Sequence, residues 1–150
     1  MSIDINIIKD NIDFAIVAIL LFLNFLVVWF WIERVLFFRN IDIYSYETKE
    51  ELEIDLTKNI TIISTIASNA PYIGLLGTVI GIIITFYLIG LNGNLDTKII
   101  ISSLALALKA TALGLIVAIV AIFFNNHLVR KIEVLLTKWE VAKKKGEIWD

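Results

Sequence analysis

Thr78 and Thr111 stand in two of the most apolar stretches of the chain, each one residue beyond a position held by a small residue. A threonine hydroxyl carries one donor and two acceptor lone pairs. Two of them on neighbouring helices could therefore exchange hydrogen bonds with a group that gains and loses a proton. Each could instead bond back to a carbonyl of its own helix, as threonine does readily. The matched occurrence favours the shared polar path. Lys109 is the one charge within the third apolar run, and an ion inside a membrane is a functional hypothesis by default. It lies two residues from Thr111, about 200° around a helix, and so does not share the threonine's face. Other chemistry is sparse. There are no cysteines for a disulfide or thiolate site, and a single histidine, His127, cannot build a metal site alone. Neither a nucleophile–base pair, nor paired carboxylates, nor a phosphate loop is present. The reading is of a protein that is not an enzyme, with no cofactor, no metal and no nucleic-acid partner.

The elements that must position these residues follow from composition. The 150 residues are 59% hydrophobic and 19% charged, with mean hydropathy +0.85, beyond the usual balance of a soluble domain. The excess is concentrated in Phe14–Ile32, Ile73–Leu91 and Ile99–Phe124, each of at least 19 residues. About 20 apolar residues cross a hydrocarbon core as a helix. The expected fold class is all-α, a single domain over residues 1–150 with three spans at about 14–33, 68–91 and 99–124. The start, "MSIDINIIKDNID", lacks the basic region and cleavage site of a secretory signal, so the first span is expected to remain. Lysine and arginine are scarce before span one and between spans two and three, and abundant after span one and in the tail. That asymmetry places the N-terminus outside and the C-terminus in the cytoplasm.

Helices two and three are expected to continue into the cytoplasm over about 40–67 and 125–145. Leu128, Ile132, Leu135, Trp139 and Ala142 recur at helical steps, which predicts a stripe packed on the extension of helix two. In "WFWIERVLFFR", Glu33 and Arg34 are expected to serve as an anchor at the headgroups. His127 is expected at the same level.

"NAPYIGLLGTVIG", residues 69–81, holds the sole proline and three of the seven glycines. In lipid the hydrophobic effect does not draw helices together, and close packing must. Ala67, Ala70, Gly74, Gly77 and Gly81 form one small-residue stripe on helix two, and Ser103, Ala107, Ala110, Gly114, Ala118, Ala121 and Asn125 form another on helix three. Pro71 is tolerable where neighbours and local geometry satisfy the carbonyl it frees.

"NAPYIGLLGTVIG", "LKATALGLIVAI" and "WIERVLFFR" occur in the order found in the ExbB/TolQ/MotA proton-channel family, which this chain resembles, most closely its compact ExbB members. The resemblance implies a bacterial inner-membrane subunit forming a homo-oligomeric ring, a pentamer in ExbB. The ring would surround an ExbD-like single-span partner with a membrane aspartate and couple proton flow through a TonB-like protein to outer-membrane transport. It carries the pore threonines onto Thr78 and Thr111. Ala70, Pro71, Gly74, Gly77, Gly81, Ala107, Ala110 and Gly114 would form the packing and pore-lining surface. Two positions depart from the pattern. Leu106 stands where many ExbB proteins have a glutamate, and Val120 where many have a proline, so the proton carrier would come from the partner. In such a ring Lys109 would repel protons. Snorkelling toward the periplasmic surface is the favoured role, with a pore role as the alternative. The rival readings are a TolQ-like subunit serving envelope integrity and a structural oligomer without conduction.

The topology is directly testable. Labelling or reporter fusions should place residues 1–12 and 92–98 outside, and residues 40–58 and 127–150 inside. A cytoplasmic N-terminus would overturn the orientation.

Overall fold

Where water cannot reach, a backbone satisfies its own polar groups only as a helix, and the long apolar runs take that form. A computed structural model describes residues 5–92 and 96–146. Residues 1–4, 93–95 and 147–150, which belong to the expected outer arm, outer connection and inner tail, lie outside the described residues. Helix α1 covers Ile5–Asn40, α2 Lys49–Thr57, α3 Ile60–Asn92 and α4 Thr97–Lys144, with a short 3-10 turn at Ile43–Ser45. Three of these helices are long and apolar enough to cross a membrane.

The spans pack as a three-helix group. The most extensive contact joins α3 to α4, and α1 lies against both. Leu20 and Val27 of α1 are fully buried there. Toward the end of α1, the Trp31 ring stacks on Phe124 of α4 with centroids 4.4 Å apart. Pro71 stands inside α3 without ending it.

The segment expected as a continuous extension of helix two is helical but broken. Thr48 caps α2, its hydroxyl accepting from the Glu51 N–H at 3.2 Å, and Glu51 at the third helical position completes the sequence pattern of a capping box. After Thr57 the chain turns at Lys58 and Asn59, and Asn59 adopts φ 65. Asparagine is among the few non-glycine residues that enter this left-handed region readily. A continuous helix through 58–59 would have pointed α2 along α3. The turn instead lays α2 against α4.

That docking uses the predicted stripe. Leu128, Ile132, Trp139 and Ala142 are buried and Leu135 half-buried, and Leu52 and Leu56 of α2 are fully buried. The Trp139 indole donates to the Tyr46 carbonyl at 3.1 Å, and Lys49 pairs with Glu140 at 2.6 Å. Burial, and then its hydrogen bond to Asp55 at 2.8 Å, push the Tyr46 hydroxyl up to about 12. It therefore remains a donor at physiological pH.

Arg34 departs from the expected headgroup anchor. It is only 3% exposed. Its guanidinium donates to the Asp55 carbonyl in the last turn of α2 at 3.0 Å and to Glu33 at 2.7 Å, and lies over the Phe37 ring. The other Glu33 oxygen accepts from the Asn59 amide at 3.0 Å. A cation at a helix C-terminus is favourable because the last carbonyls carry partial negative charge. Neighbouring residues at the end of α1 thus hold both sides of the α2–α3 break. The reason for the departure is that unpaired carbonyl end, which only the fold brings within reach.

Arg34→Met should loosen this junction. Losing a charged hydrogen bond of ~1.4 kcal/mol would raise the open population about tenfold, and cleavage by trypsin at Lys58 would accelerate accordingly. An unchanged cleavage rate would show that Arg34 does not hold the break.

Candidate functional site

The site begins where two backbones meet. A Cβ added at Gly74 would lie 2.5 Å from the Ala110 carbonyl oxygen, and one at Gly114 would lie 2.6 Å from the Ala70 oxygen and 3.0 Å from the Gly74 Cα. Real side chains cannot occupy either position without moving a helix. One helical step on, Gly77 faces the Ala110 methyl and Ile16 of α1, and Gly81 faces the Ala107 methyl. Ala70, Ala107, Ala118 and Ala121 are buried along the same contact, and Pro71 is half-buried beside it. The two small-residue stripes are therefore the surfaces that α3 and α4 present to each other.

This approach brings the threonines together. The Thr78 and Thr111 hydroxyl oxygens are 2.6 Å apart. Thr78 also reaches the Ala107 carbonyl of α4 at 2.9 Å, and Thr111 the Gly74 carbonyl of α3 at 3.3 Å. Ala107 is the residue four before Thr111, and Gly74 the residue four before Thr78. Each hydroxyl thus reaches the carbonyl that a back-bonding threonine on the other helix would use. Thr78 lies 3.5 Å from its own such carbonyl, at Gly74.

Two hydroxyl protons serve these contacts, since each threonine supplies one. If Thr78 donates to Ala107, Thr111 can donate to Thr78. If Thr111 donates to Gly74, Thr78 can donate to Thr111. The pair has two proton arrangements related by rotation of its hydroxyls. Thr78 is 6% exposed, whereas Thr111 is half-buried, so the pair is reached from the Thr111 side. Such a couple can offer a donor to a carboxylate and an acceptor to the protonated acid. Thr85 provides the contrast. It is buried and its hydroxyl donates at 2.8 Å to Gly81 on its own helix.

Lys109 stays outside this constellation. It is exposed and forms no hydrogen bond or ion pair with the described residues. Leu106, at the position of the expected family glutamate, is also exposed. His127 is exposed, its ring 6.2 Å from that of Trp31 at the level where the apolar part of α4 ends.

Comparison with known proteins decides the affiliation. Residues 39–141 match the model of the MotA/TolQ/ExbB proton channel family. The chain belongs to this family. It is 50% identical over 135 residues to the biopolymer transport protein ExbB of Helicobacter pylori strain J99, covering 90% of this chain and 93% of that one. It is 53% identical over 133 residues to the ExbB of Aquifex aeolicus strain VF5, covering 89% and 90%. A putative ExbB-like 2 protein of Helicobacter pylori strain 26695 is 50% identical over 133 residues, covering 89% of each chain.

The family match contains α2, α3 and nearly all of α4, with both threonines and both stripes, but only the end of α1. Sequence reasoning named Thr78 and Thr111 yet did not foresee their crossed acceptors. A signal was present. Gly74 and Ala107 are stripe residues, and a threonine follows four positions after each, which aligns two hydroxyls with one contact surface. The Arg34 clasp left no comparable trace, because Asp55 contributes only its backbone carbonyl.

The close approach predicts a contrast between glycines. Gly74→Ala should lower the thermal stability of the detergent-solubilised protein by about 1–3 kcal/mol through overpacking. Gly90→Ala, with nothing within 4 Å of the added methyl, should be neutral or gain about 0.5–1 kcal/mol from helix propensity. Equal effects at the two sites would show that the α3–α4 contact is looser than this.

Proposed function

We propose that this chain is the ExbB-like subunit of a bacterial inner-membrane motor complex that couples the proton motive force to TonB-dependent transport across the outer membrane. The observation that carries the reading is the crossed Thr78–Thr111 pair, a polar couple held between two membrane helices by glycine contacts. Family membership and the ExbB names of relatives matching most of the chain support it.

In this reading several copies, a pentamer, form a ring with the N-termini in the periplasm and the C-termini in the cytoplasm. The ring encloses a single-span ExbD-like partner whose membrane aspartate carries the proton. The threonine couple donates to that carboxylate when it is charged and accepts from it when it is protonated. The exchange needs only hydroxyl rotation. Each proton crossing about 100 mV releases roughly 2.3 kcal/mol, which the complex passes to a TonB-like protein. The helical extensions about residues 40–67 and 125–145 lie in the cytoplasm, and Lys109 contacts lipid or the headgroups.

The test is client-dependent uptake measured together with complex abundance in the same cells. Valine nearly matches threonine in shape but cannot hydrogen-bond. The double variant Thr78→Val, Thr111→Val should assemble normally and lose uptake, while Thr85→Val and Lys109→Met should retain it. Full uptake by the double variant would remove the threonines from the proton path.

A further inference from the structure

Outside the membrane the chain separates its charges by helix. α2 carries Glu50, Glu51 and Glu53, all exposed. Its buried Leu52 and Leu56 face α4, and Glu50, Glu51, Ile54 and Thr57 fall within about 60° of the opposite direction on a helical projection. Ile54 is 70% exposed in the middle of that acidic face. On α4 the cations predominate. Arg130, Lys131 and Lys138 line a groove of about 240 Å³ together with Phe38, Val134 and Leu135, and beyond Lys138 the groove runs on to Tyr44 and Val141. Arg130 pairs with Glu133 at 3.2 Å. Lys131 and Lys138, like Glu50 and Glu51, form no salt bridge with the described residues.

The two faces cannot meet within one chain. Glu140 pairs with Lys49 and so marks the side of α4 that holds α2, and Lys138 lies about 160° around α4 from Glu140. They do match in height. From Lys49, level with Glu140, α2 rises antiparallel to α4 until Arg34 meets its last turn at Asp55. One residue of α2 therefore answers to about one of α4, which sets Glu51 level with about Lys138 and Ile54 with about Leu135. Rotation about the membrane normal leaves height unchanged. Copies related by such a rotation present the acidic face and the groove to each other in register.

An anionic lipid matches the charge of the groove but not its height. Phe124 stacks on Trp31, a ring pair suited to the boundary of the hydrocarbon. Lys138 is fourteen residues further along α4, about 21 Å at 1.5 Å per residue. The headgroup layer beyond that boundary is only about 5–8 Å thick. Most of the groove is therefore surrounded by water, where exposed Val134 and Val141 gain from apolar cover. Ile54 between its glutamates offers that cover and the opposite charge at once.

We propose that the acidic face of α2 on one copy docks in the α4 groove of the next, with Ile54 seated on Val134 and Glu50 and Glu51 facing Lys138. The inference rests on the ring given under the proposed function and names the surfaces on which its copies meet outside the bilayer. The contact is head-to-tail, with one face of each kind on every copy, so it propagates around a ring. A two-fold pairing of grooves would set Lys138 against Lys138, and the like charges reject it. Because α2 also packs on its own α4, it ties the α4 tails of adjacent copies together.

The chain has no cysteine, so single-cysteine copies need no background removal. Ile54→Cys in a copy with one affinity tag and Val134→Cys in a copy with another are produced together in the full complex, and the membranes are treated with a mild oxidant. A disulfide needs Cα atoms within about 7 Å, so a product carrying both tags should form. Either variant alone should give at least about fivefold less cross-linked dimer, because like faces do not meet. Adding Lys138→Glu to the Val134→Cys copy should lower the doubly tagged product about fivefold. Adding Glu51→Lys to the Ile54→Cys copy as well should restore it, and about 0.5 M salt should shrink both differences. Glu50→Cys with Lys138→Cys is a second pair, so failure of one variant to accumulate does not remove the test. No doubly tagged product from either pair, with the oligomer intact by native mass spectrometry, overturns the dock and leaves the ring. A monomeric chain overturns the ring itself. Val134→Cys alone cross-linking as well as the mixed pair overturns the head-to-tail contact. Cross-linking indifferent to both charge changes overturns the ionic pairing. Uptake is not the readout, so the threonine path stands or falls separately.

Discussion

Two glycine backbones in contact, Gly74 on α3 and Gly114 on α4, set the geometry on which everything else in the membrane part depends. Between helices in lipid there is no water to expel, so adhesion comes from dispersion and from whatever polar groups can meet. Dispersion falls off within a fraction of an ångström of the optimum. Small residues at the crossing permit that optimum along several turns, and they also bring the Thr78 hydroxyl within reach of a carbonyl on the other helix. Packing and polarity are thus one arrangement. A larger residue at position 74 would separate the helices and leave each threonine only its own backbone as a partner.

A second constraint operates where the membrane helices end. The α2–α3 break leaves the terminal carbonyls of α2 without helical partners, and Arg34 supplies one while Glu33 holds Asn59 across the turn. Two charges that would serve well as a surface anchor are instead used to fold the chain back. The result lays α2 along α4, where Leu52, Leu56 and Trp139 are buried together. The polar part of the molecule acquires a small core of its own.

Sequence and structure agree where the governing rule is local or periodic. The apolar runs, the Leu128–Ala142 stripe and the small-residue steps are all period-based signals, and the helices, the α2–α4 contact and the α3–α4 seam lie where those signals fall. The departures come from interactions between distant residues. Nothing in "WIERVLFFR" indicates that Arg34 meets the carbonyl of Asp55. The break at Lys58–Asn59 was obscured because Leu52, Leu56, Ile60 and Ile63 keep a helical rhythm straight through it. The rhythm is real, since all four are buried, but it is met by two helices rather than one. The crossed threonine acceptors required knowing that two stripes face each other in antiparallel register.

The unequal continuity of the helices has a mechanical consequence. α4 runs without interruption from Thr97 to Lys144, so its membrane part and its tail form one stiff lever. From Phe124 to Lys144 the tail extends about 30 Å at 1.5 Å per residue. A tilt of about 5° at the Gly74–Gly114 fulcrum would sweep its tip through ~4 Å, counting the further ~15 Å from the fulcrum to Phe124. α3 has no such arm, because the chain breaks from it at the left-handed turn of Asn59. With α2 fastened to α4 through Trp139 and Lys49, it travels with the lever. A small rearrangement at the threonine crossing is therefore amplified along α4 and is carried through α2 to the break that Arg34 and Glu33 hold.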